Sequence, residues 1–386
     1  MYDFAKRNMQ YIVRELDEDG DGWPEGLGNV ERQGMGPEKL DNSVYFIRGL
    51  YDLADLAHSK HDGKTQAWAA NLARDLVRRF EDDWWIEDPD LPLHADSLGD
   101  NNEKIEQRHW ITVTPMEAEL TVNRRPVPGL TTFDHGTRSL ALHETDCFSG
   151  TRPFNRGLFH TACGGGPTGA GERTIFGLNT AIQSVGEGNY GRLGPGQQQR
   201  YTDAETEPMF GEPFTGGTPD EQPGALPEIL PSPDFDGAGN RDANIDRCWT
   251  CRAMFMQAWG HYGSVWPVVH QQLGVRPDLG RGRLTVVPQV PSGAPIAGRR
   301  IRLGGGALRL VRASHTGNTY RTRVKVGSAP IDRLDIGHTL PRGSTVSSVL
   351  LDGNPVDYDT VLTNRGLEVL ARAPASGTHE LVVTAG

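Results

Sequence analysis

Apolar residues in the first two-thirds of the chain recur every three or four positions, which is the period of an amphipathic helix. Patterns of this kind predict helices at residues 2–16, 44–57, 65–80, 174–193 and 245–273. A short turn at residues 61–63 separates the second of these helices from the third. We therefore expect those two to form an antiparallel helical hairpin.

Between residues 194 and 244 the chain is rich in glycine, proline and acidic residues and has no clear period. A connection of this length is usually either functional or disordered. Aromatic residues inside it, such as Tyr201 and Phe214, favour an ordered and functional loop.

From about residue 283 the apolar period changes to two, which predicts a series of short strands. Turn signals such as Asp352-Gly353 separate these strands. Seven or so strands of this kind suggest an antiparallel β-sandwich. Because a proline-rich linker at residues 288–295 lies near the change of period, we expect a helical domain over residues 1–282 and a sandwich domain over 283–386.

The composition of the chain limits the kinds of molecule that it can be expected to bind. Lys and Arg number 39 against 50 Asp and Glu, so the formal charge is −11, and nucleic acid is an unsuitable partner. No apolar run reaches the ~18 residues that a membrane-spanning helix needs. Four cysteines in 386 residues do not make a disulfide scaffold, and we expect them to be buried free thiols.

An acidic loop follows the first predicted helix. Asp17, Asp19 and Asp21 stand at alternate positions with glycines for tight bends, which lets one loop wrap a calcium ion in oxygen ligands. Glu25 adds a carboxylate, and Gly28 stands where a helix–loop–helix site has its closing Glu, so the closing ligand must come from elsewhere. The alternative is a solvated acidic turn. Because unneutralised carboxylates repel, we predict a structural Ca²⁺ held by Asp17, Asp19, Asp21 and Glu25.

Two further carboxylate regions could carry acid–base chemistry. Asp41 precedes a long, mostly buried helix, a position typical of an N-cap. The segment 219–228, in the long loop, offers Glu221 and Glu228. Two acids, each on a loop before a helix of one domain, suit hydrolysis of a glycosidic bond.

Several short motifs resemble those of the six-hairpin (α/α)6-barrel glycoside hydrolases. Bacterial glycogen debranching proteins are the most similar, with glucoamylases (family fifteen) and processing α-glucosidases (family sixty-three) as wider relatives. The acidic loop is similar to a calcium loop of family sixty-three, and Leu40-Asp41-Asn42-Ser43 resembles the end of its Glu-Ser-Gly-x-Asp motif, whose Asp is the general acid. Glu221-Gln222 resembles the Glu-Gln of glucoamylases, whose Glu is the general base.

The resemblance covers residues 2–291 and implies a mainly α protein, in which an (α/α)6-toroid-type domain precedes the β-sandwich. It also implies Asp41 as general acid and Glu221 as general base. Because Pro37 stands where the motif has its Glu, other carboxylates remain alternatives: Glu25, Glu38 and Glu228. The predicted helices are too few for twelve, so we expect the toroid to be incomplete at its N-terminal end.

Candidate substrate contacts are aromatic or polar residues near these carboxylates or on the loops: Trp23, Tyr45, Arg156, His160 and Trp249. In the barrel, the glycine-rich loop at residues 154–167 would line the rim of the cavity. Instead of contacting substrate, the polar residues of this set could belong to an ordinary loop, and the aromatic residues could pack in the apolar core.

These observations predict an inverting glycoside hydrolase that acts on an α-linked glucan or oligosaccharide. One carboxyl group would protonate the leaving oxygen, and the other would activate water on the far face of the sugar ring. The alternative is a non-catalytic carbohydrate-binding or scaffold protein, or an inactive fragment of such an enzyme, whose carboxylates are only helix caps and calcium ligands. In each case the partner is an oligosaccharide or polysaccharide.

Overall fold

The computed structural model describes residues 1–26, 34–122, 125–152, 155–162, 175–210, 229–230, 258–291 and 294–386. These residues contain eight α-helices: α1 (Tyr2–Glu15), α2 (Leu40–Ser59), α3 (Gly63–Trp84), α4 (Thr114–Glu117), α5 (Phe133–His143), α6 (Gly177–Asn189), α7 (Gln198–Phe210) and α8 (Ala258–Val265). Helix α8 continues as a π-helix over Trp266–Gln272, and 3-10 turns lie at Trp110–Val113 and Leu279–Arg281.

The predicted helical hairpin is confirmed, because α2 and α3 pack against each other. The side chain of Asp62 caps α3 by accepting a hydrogen bond from the Thr65 N–H (3.1 Å). The apolar faces of both helices are buried in one core that also contains Trp23 and Trp84. The Trp23 ring makes edge contacts with Phe80 and Trp84, at centroid distances of 6.2 and 5.7 Å.

Asp41 is not the N-cap that its position suggested. Helix α2 begins at Leu40, its N-cap is Lys39, and Asp41 lies inside the first turn. The Leu40 N–H donates to the carbonyl oxygen of Asp96 (3.1 Å), which fixes the start of the helix. A carboxyl group in a first turn lies close to the positive end of the helix dipole.

The prediction of a mainly α, toroid-type fold is wrong, because 38% of the described residues are helical and 30% are in strands. The helical region also contains short strands: β1 (Glu38–Lys39), β2 (Ser97–Leu98), β3 (Lys104–Ile105), β4 (Thr121–Val122), β5 (Arg125–Pro126), β6 (Ser149–Arg152), β7 (Asn155–Leu158), β8 (Ile175–Phe176) and β9 (Ile229–Leu230). Strands of two to four residues are too short to show a period of two, so the sequence pattern did not reveal them.

The remaining strands form two larger sheets: β10 (Val275–Asp278), β11 (Arg283–Val286), β12 (Ile296–Leu303), β13 (Gly306–Thr316), β14 (Thr319–Lys325), β15 (Arg333–Leu340), β16 (Val346–Leu351), β17 (Asn354–Pro355), β18 (Tyr358–Thr363), β19 (Gly366–Ala373) and β20 (Thr378–Ala385). The five-stranded sheet has the order β10-β11-β15-β19-β18, and the six-stranded sheet has the order β12-β13-β14-β20-β16-β17. Both contribute to one hydrophobic core.

Two details of the sheets differ from the sequence-based expectation. Strands β11 and β15 pair in parallel, so the sandwich is not wholly antiparallel. The intervening β12, β13 and β14 lie in the other sheet and form the crossover that a parallel pair needs. Strand β10 belongs to the five-stranded sheet although it precedes residue 283, and the division at 282/283 stays a prediction.

A half-buried carboxylate, Glu81, ties α3 to the start of α5. It accepts hydrogen bonds from the Thr131 hydroxyl (2.5 Å) and the Thr132 N–H (2.6 Å). His94 and His135 lie 3.6 and 2.8 Å from its Oε2 atom. Burial by itself would raise the pKa of Glu81, but these hydrogen bonds and the charge of His94 lower it to about 2. Glu81 therefore stays ionised and holds the two helices together.

Ion pairs also connect the helical region to the sandwich. Arg365, which follows β18, donates to Glu119, and His270 lies 2.9 Å from the other oxygen of that carboxylate. At a more exposed position, Arg281 donates to Asp55 on α2 (2.7 Å). Cys147, the one cysteine in the described part of the chain, is disulfide-bonded, so the expectation of a free thiol is wrong for it. Among the described helices, none is long and apolar enough to cross a membrane.

Candidate active site

Helix α2 carries a polar stripe although most of its surface is buried. Asp41, Tyr45, Arg48 and Asp52 follow one another at intervals of four, three and four residues, so they share one face of the helix. The opposite face consists of apolar residues in the core: Leu40, Val44, Ile47, Leu50, Leu53 and Ala54. A polar stripe on a helix of this kind is a candidate for chemistry rather than packing.

Glu117, the last residue of α4, faces this stripe. Its side chain accepts hydrogen bonds from the hydroxyls of Tyr262 and Tyr45. The backbone at this point is held by Asn189, whose amide donates to the carbonyl oxygens of Met116 (3.1 Å) and Glu117 (2.9 Å). The Glu117 side chain is 5% exposed, and its Oε2 atom has no hydrogen-bond partner among the described residues. This carboxyl group is therefore fixed in place with one oxygen available.

Burial controls the proton equilibria around Glu117. It raises the pKa of the Glu117 carboxyl, an effect that the Tyr262 hydroxyl and Arg48 oppose. It also raises the pKa of the Tyr45 phenol, and the nearby charges of Glu117 and Asp41 add to that rise. Tyr45 therefore stays protonated and serves as a hydrogen-bond donor between two carboxyl groups. Sequence reasoning missed Glu117, although the two acids in the otherwise uncharged stretch of residues 110–120, Glu117 and Glu119, were a usable signal.

The acidic loop after α1 folds around its own carboxylates. Asp17 accepts a hydrogen bond from the Gly22 N–H (3.0 Å), and Asp21 accepts one from the Trp23 N–H (2.7 Å). Gly20 and Gly22 have φ values of 81° and 98°, in the region that favours glycine. Oxygen atoms of Asp17, Asp19 and Asp21 all lie within 4.8 Å of one another. The loop thus brings three carboxylates to one point, as the sequence predicts.

Glu38 supplies a carboxylate to this loop from a distant part of the chain. Its oxygen lies within 4.8 Å of those of Asp19 and Glu25. The side chain is 1% exposed, and its Oε2 atom has no hydrogen-bond partner among the described residues. Burial and the neighbouring carboxylates raise the pKa of Glu38 to about 8. Gly36 permits this approach, because a Cβ atom there would lie 1.8 Å from the Leu98 carbonyl oxygen.

The other candidate residues differ in their burial and position, and some lie outside the described residues. Trp23 as a substrate contact is wrong: its ring is fully buried between Phe80 and Trp84, and its Nε1 donates to Asp83 (2.9 Å), so no face is left for a sugar. His160 is half-buried, and its ring meets that of His109 edge-on at 4.4 Å. The positions that lie outside the described residues are Glu221, Glu228, Trp249 and the side chain of Arg156.

Comparison with known proteins supports the fold. No protein-family model matches the chain, and no curated protein is significantly similar to it. Among solved structures, a sialidase is 13% identical with a TM-score of 0.51, covering 99% of this chain and 30% of its own. An α-L-rhamnosidase from Dictyoglumus thermophilum is 14% identical, with 99% and 37% covered and a TM-score of 0.49. The rhamnosidase from Aspergillus terreus is 13% identical, with 99% and 36% covered and a TM-score of 0.45.

The sialidase comparison carries the fold argument, because its TM-score exceeds 0.5. The present chain spans about a third of the length of the three solved proteins. At this level of identity the likeness concerns the fold. The chain is therefore similar in fold to part of the solved sialidase.

Proposed function

We propose that the chain forms part of an inverting glycoside hydrolase that acts on an α-linked glucan or oligosaccharide. The observation that carries this proposal is the polar stripe of α2 facing Glu117, because it gathers carboxyl and phenol groups in an otherwise apolar region. The structural likeness to glycoside hydrolases supports the reaction class. The resemblance to the six-hairpin hydrolases in the motifs around Asp41 and Glu221 supports the choice of acid and base.

In this proposal Asp41 protonates the leaving oxygen, and Glu221 removes a proton from the attacking water on the far face of the sugar ring. Inversion requires the two carboxyl groups to be ~6.5–9.5 Å apart, with room for that water between them. Glu25 and Glu38 are weaker alternatives for the acid, because both are engaged with the acidic loop. Glu228 remains the alternative base.

Residues around Asp41 would position the substrate. Tyr45, whose phenol stays protonated, would donate a hydrogen bond to a sugar hydroxyl or to the developing charge. Glu117 and Tyr262 hold each other by a hydrogen bond, so they would present a fixed polar edge to the sugar. Arg156, on β7, and His160, shortly after that strand, would be further substrate contacts.

We also propose that the acidic loop holds a structural Ca²⁺ through Asp17, Asp19, Asp21 and Glu25, with Glu38 as the closing ligand. Hard oxygen donors of this kind suit Ca²⁺. The buried Oε2 atom of Glu38 has no hydrogen-bond partner among the described residues, so it is suited to coordinate a cation. The ion would neutralise the clustered carboxylates and hold β1, and so the start of α2, in place.

The test of the hydrolase is a pair of conservative variants, Asp41→Asn and Glu221→Gln, assayed for reducing-sugar release from maltooligosaccharides. Each should lower kcat by roughly 10²–10⁴-fold, because one proton transfer is lost. Asp75→Asn on the exposed side of α3 is the matched control and should retain full activity. The first product should be the β-anomer. Equal activity in all variants, or none in any of them, would favour the non-catalytic carbohydrate-binding protein instead.

A further inference from the structure

A cavity of about 890 Å³ lies between the helical region and the five-stranded sheet. The sheet presents alternate residues to it. Leu284, Leu334 and Val369 point into the sandwich core. Their neighbours on the same strands, among them Arg283, Arg333 and Arg372, line the cavity. The period of two therefore creates a polar sheet face, which the helical region partly covers.

The walls of this cavity are strongly polar but balanced in charge. Six arginines and seven carboxylates line its described part, a formal charge of −1. Several of these groups are paired with one another: Arg333 donates to Asp335 on the same strand (2.9 Å), and Arg276 donates to Glu368 (2.6 and 2.9 Å). Paired charges of this kind offer little net field to an anion or a cation. They still present many donors and acceptors, which suits a neutral ligand rich in hydroxyl groups.

One edge of the cavity is formed by the edge strand β18, whose residue Asp359 is exposed. Asp359 pairs with Leu370 on β19, so it lies on the face of the sheet that lines the cavity. Tyr358 pairs with the core residue Ala371 and therefore lies on the opposite face. Arg372, on the adjacent strand β19, is exposed and lines the same cavity. The volume lies within the range of small-ligand sites.

We propose that this cavity is a second saccharide-binding site, distinct from the stripe on α2, which binds a short neutral oligosaccharide without cleaving it. The identity of the ligand class rests on the proposed function, whereas the existence of the site rests on the cavity and its walls. Arg372 and Asp359, which share the cavity face of the sheet, would bind the hydroxyl groups of one sugar ring. Such a site would hold a longer glucan chain near the hydrolytic site.

The test measures binding of maltohexaose to the full chain by isothermal titration calorimetry, in the Asp41→Asn background so that no substrate is consumed. The double variant Asp359→Ala/Arg372→Ala should weaken binding at least tenfold. The matched control, Asp134→Ala/Arg302→Ala, changes an exposed aspartate on α5 and an exposed arginine on β12, and should leave the affinity unchanged. Melting temperatures of both double variants verify that they are folded.

The outcomes separate this inference from the hydrolase proposal. If the parent chain releases reducing sugar but the cavity variant binds maltohexaose as tightly as the control, the second site is refuted and the hydrolase stands. If the parent chain releases none but the cavity variant loses binding, the second site stands and the hydrolase fails. If no form of the chain binds maltohexaose, or if sulfate displaces it from the cavity, the site is not a neutral-saccharide site and the inference is overturned.

Discussion

Calcium should stabilise this protein, and the size of the rise in Tm should depend on the carboxyl group of Glu38. At a dissociation constant of ~10⁻⁵ M, which is within the range of carboxylate loops, 1 mM Ca²⁺ is about a hundredfold excess. Preferential binding to the folded state then contributes about 2.7 kcal/mol. For a chain of this size that corresponds to a rise in Tm of roughly 5 °C. The assay is thermal unfolding in 1 mM Ca²⁺ and in EDTA, followed by circular dichroism.

The Glu38→Gln variant makes the reasoning specific, because it keeps the shape of the side chain and removes its charge. In EDTA it should melt no lower than the wild type, since Asp19 and Glu25 lie close to that buried carboxyl group. In Ca²⁺ it should gain only about 1–3 °C, because weakening by roughly one to two orders of magnitude reduces the contribution of 1 mM Ca²⁺ to about 0.4–1.4 kcal/mol. Glu87→Gln, an exposed acid outside the loop, is the control and should keep the full shift. An equal calcium shift in all three proteins, or none in the wild type, would refute the site.

Three further predictions concern stability. Trp23→Ala should cost about 3–5 kcal/mol in urea unfolding, because the ring is fully buried, whereas a cost under 1 kcal/mol would contradict its place in the core. Glu81→Gln should destabilise the fold by about 3 kcal/mol near neutral pH, because the pKa of Glu81 is lowered to about 2 in the folded protein. The stabilisation by the ionised carboxylate is complete above the ordinary pKa of Glu and is lost as the pH falls toward 2. The difference in stability between variant and wild type should therefore shrink in acid, and a constant difference would refute the prediction. Arg365→Ala should lower the free energy of unfolding by about 1.5–3 kcal/mol, since it removes a buried guanidinium that donates to the Glu119 carboxylate and leaves His270 as the partner of that carboxylate. Arg281→Ala should lower it by less than about 1 kcal/mol, because Arg281 is more exposed. Equal costs for these two arginine variants, measured by urea unfolding, would contradict the difference in burial.

The candidate site was only partly predictable from the sequence. The acidic loop was predictable, because it depends on the spacing of Asp17, Asp19 and Asp21 and on the glycines between them, all within a few residues. Glu38 was considered as an acid, but its place beside the loop depends on a backbone bridge between Glu25 and Glu38 that forms only in the folded chain. Glu117 was missed because its hydrogen-bond partner Tyr262 is 145 positions away. Trp23 was assigned to the substrate because an aromatic residue beside carboxylates has the same local pattern whether it is exposed or buried.

The sequence by itself determined the elements with a long, regular period, namely α1, the α2–α3 hairpin and most strands of the sandwich. These depend on side chains a few positions apart, and such local preferences can be read from the chain directly. Only the tertiary structure decided the mixed helix and strand content, the parallel pair β11–β15 and the polar cavity between the helical region and the sheet. Each of these depends on contacts between residues far apart in sequence, whose formation is governed by packing and burial of the whole chain.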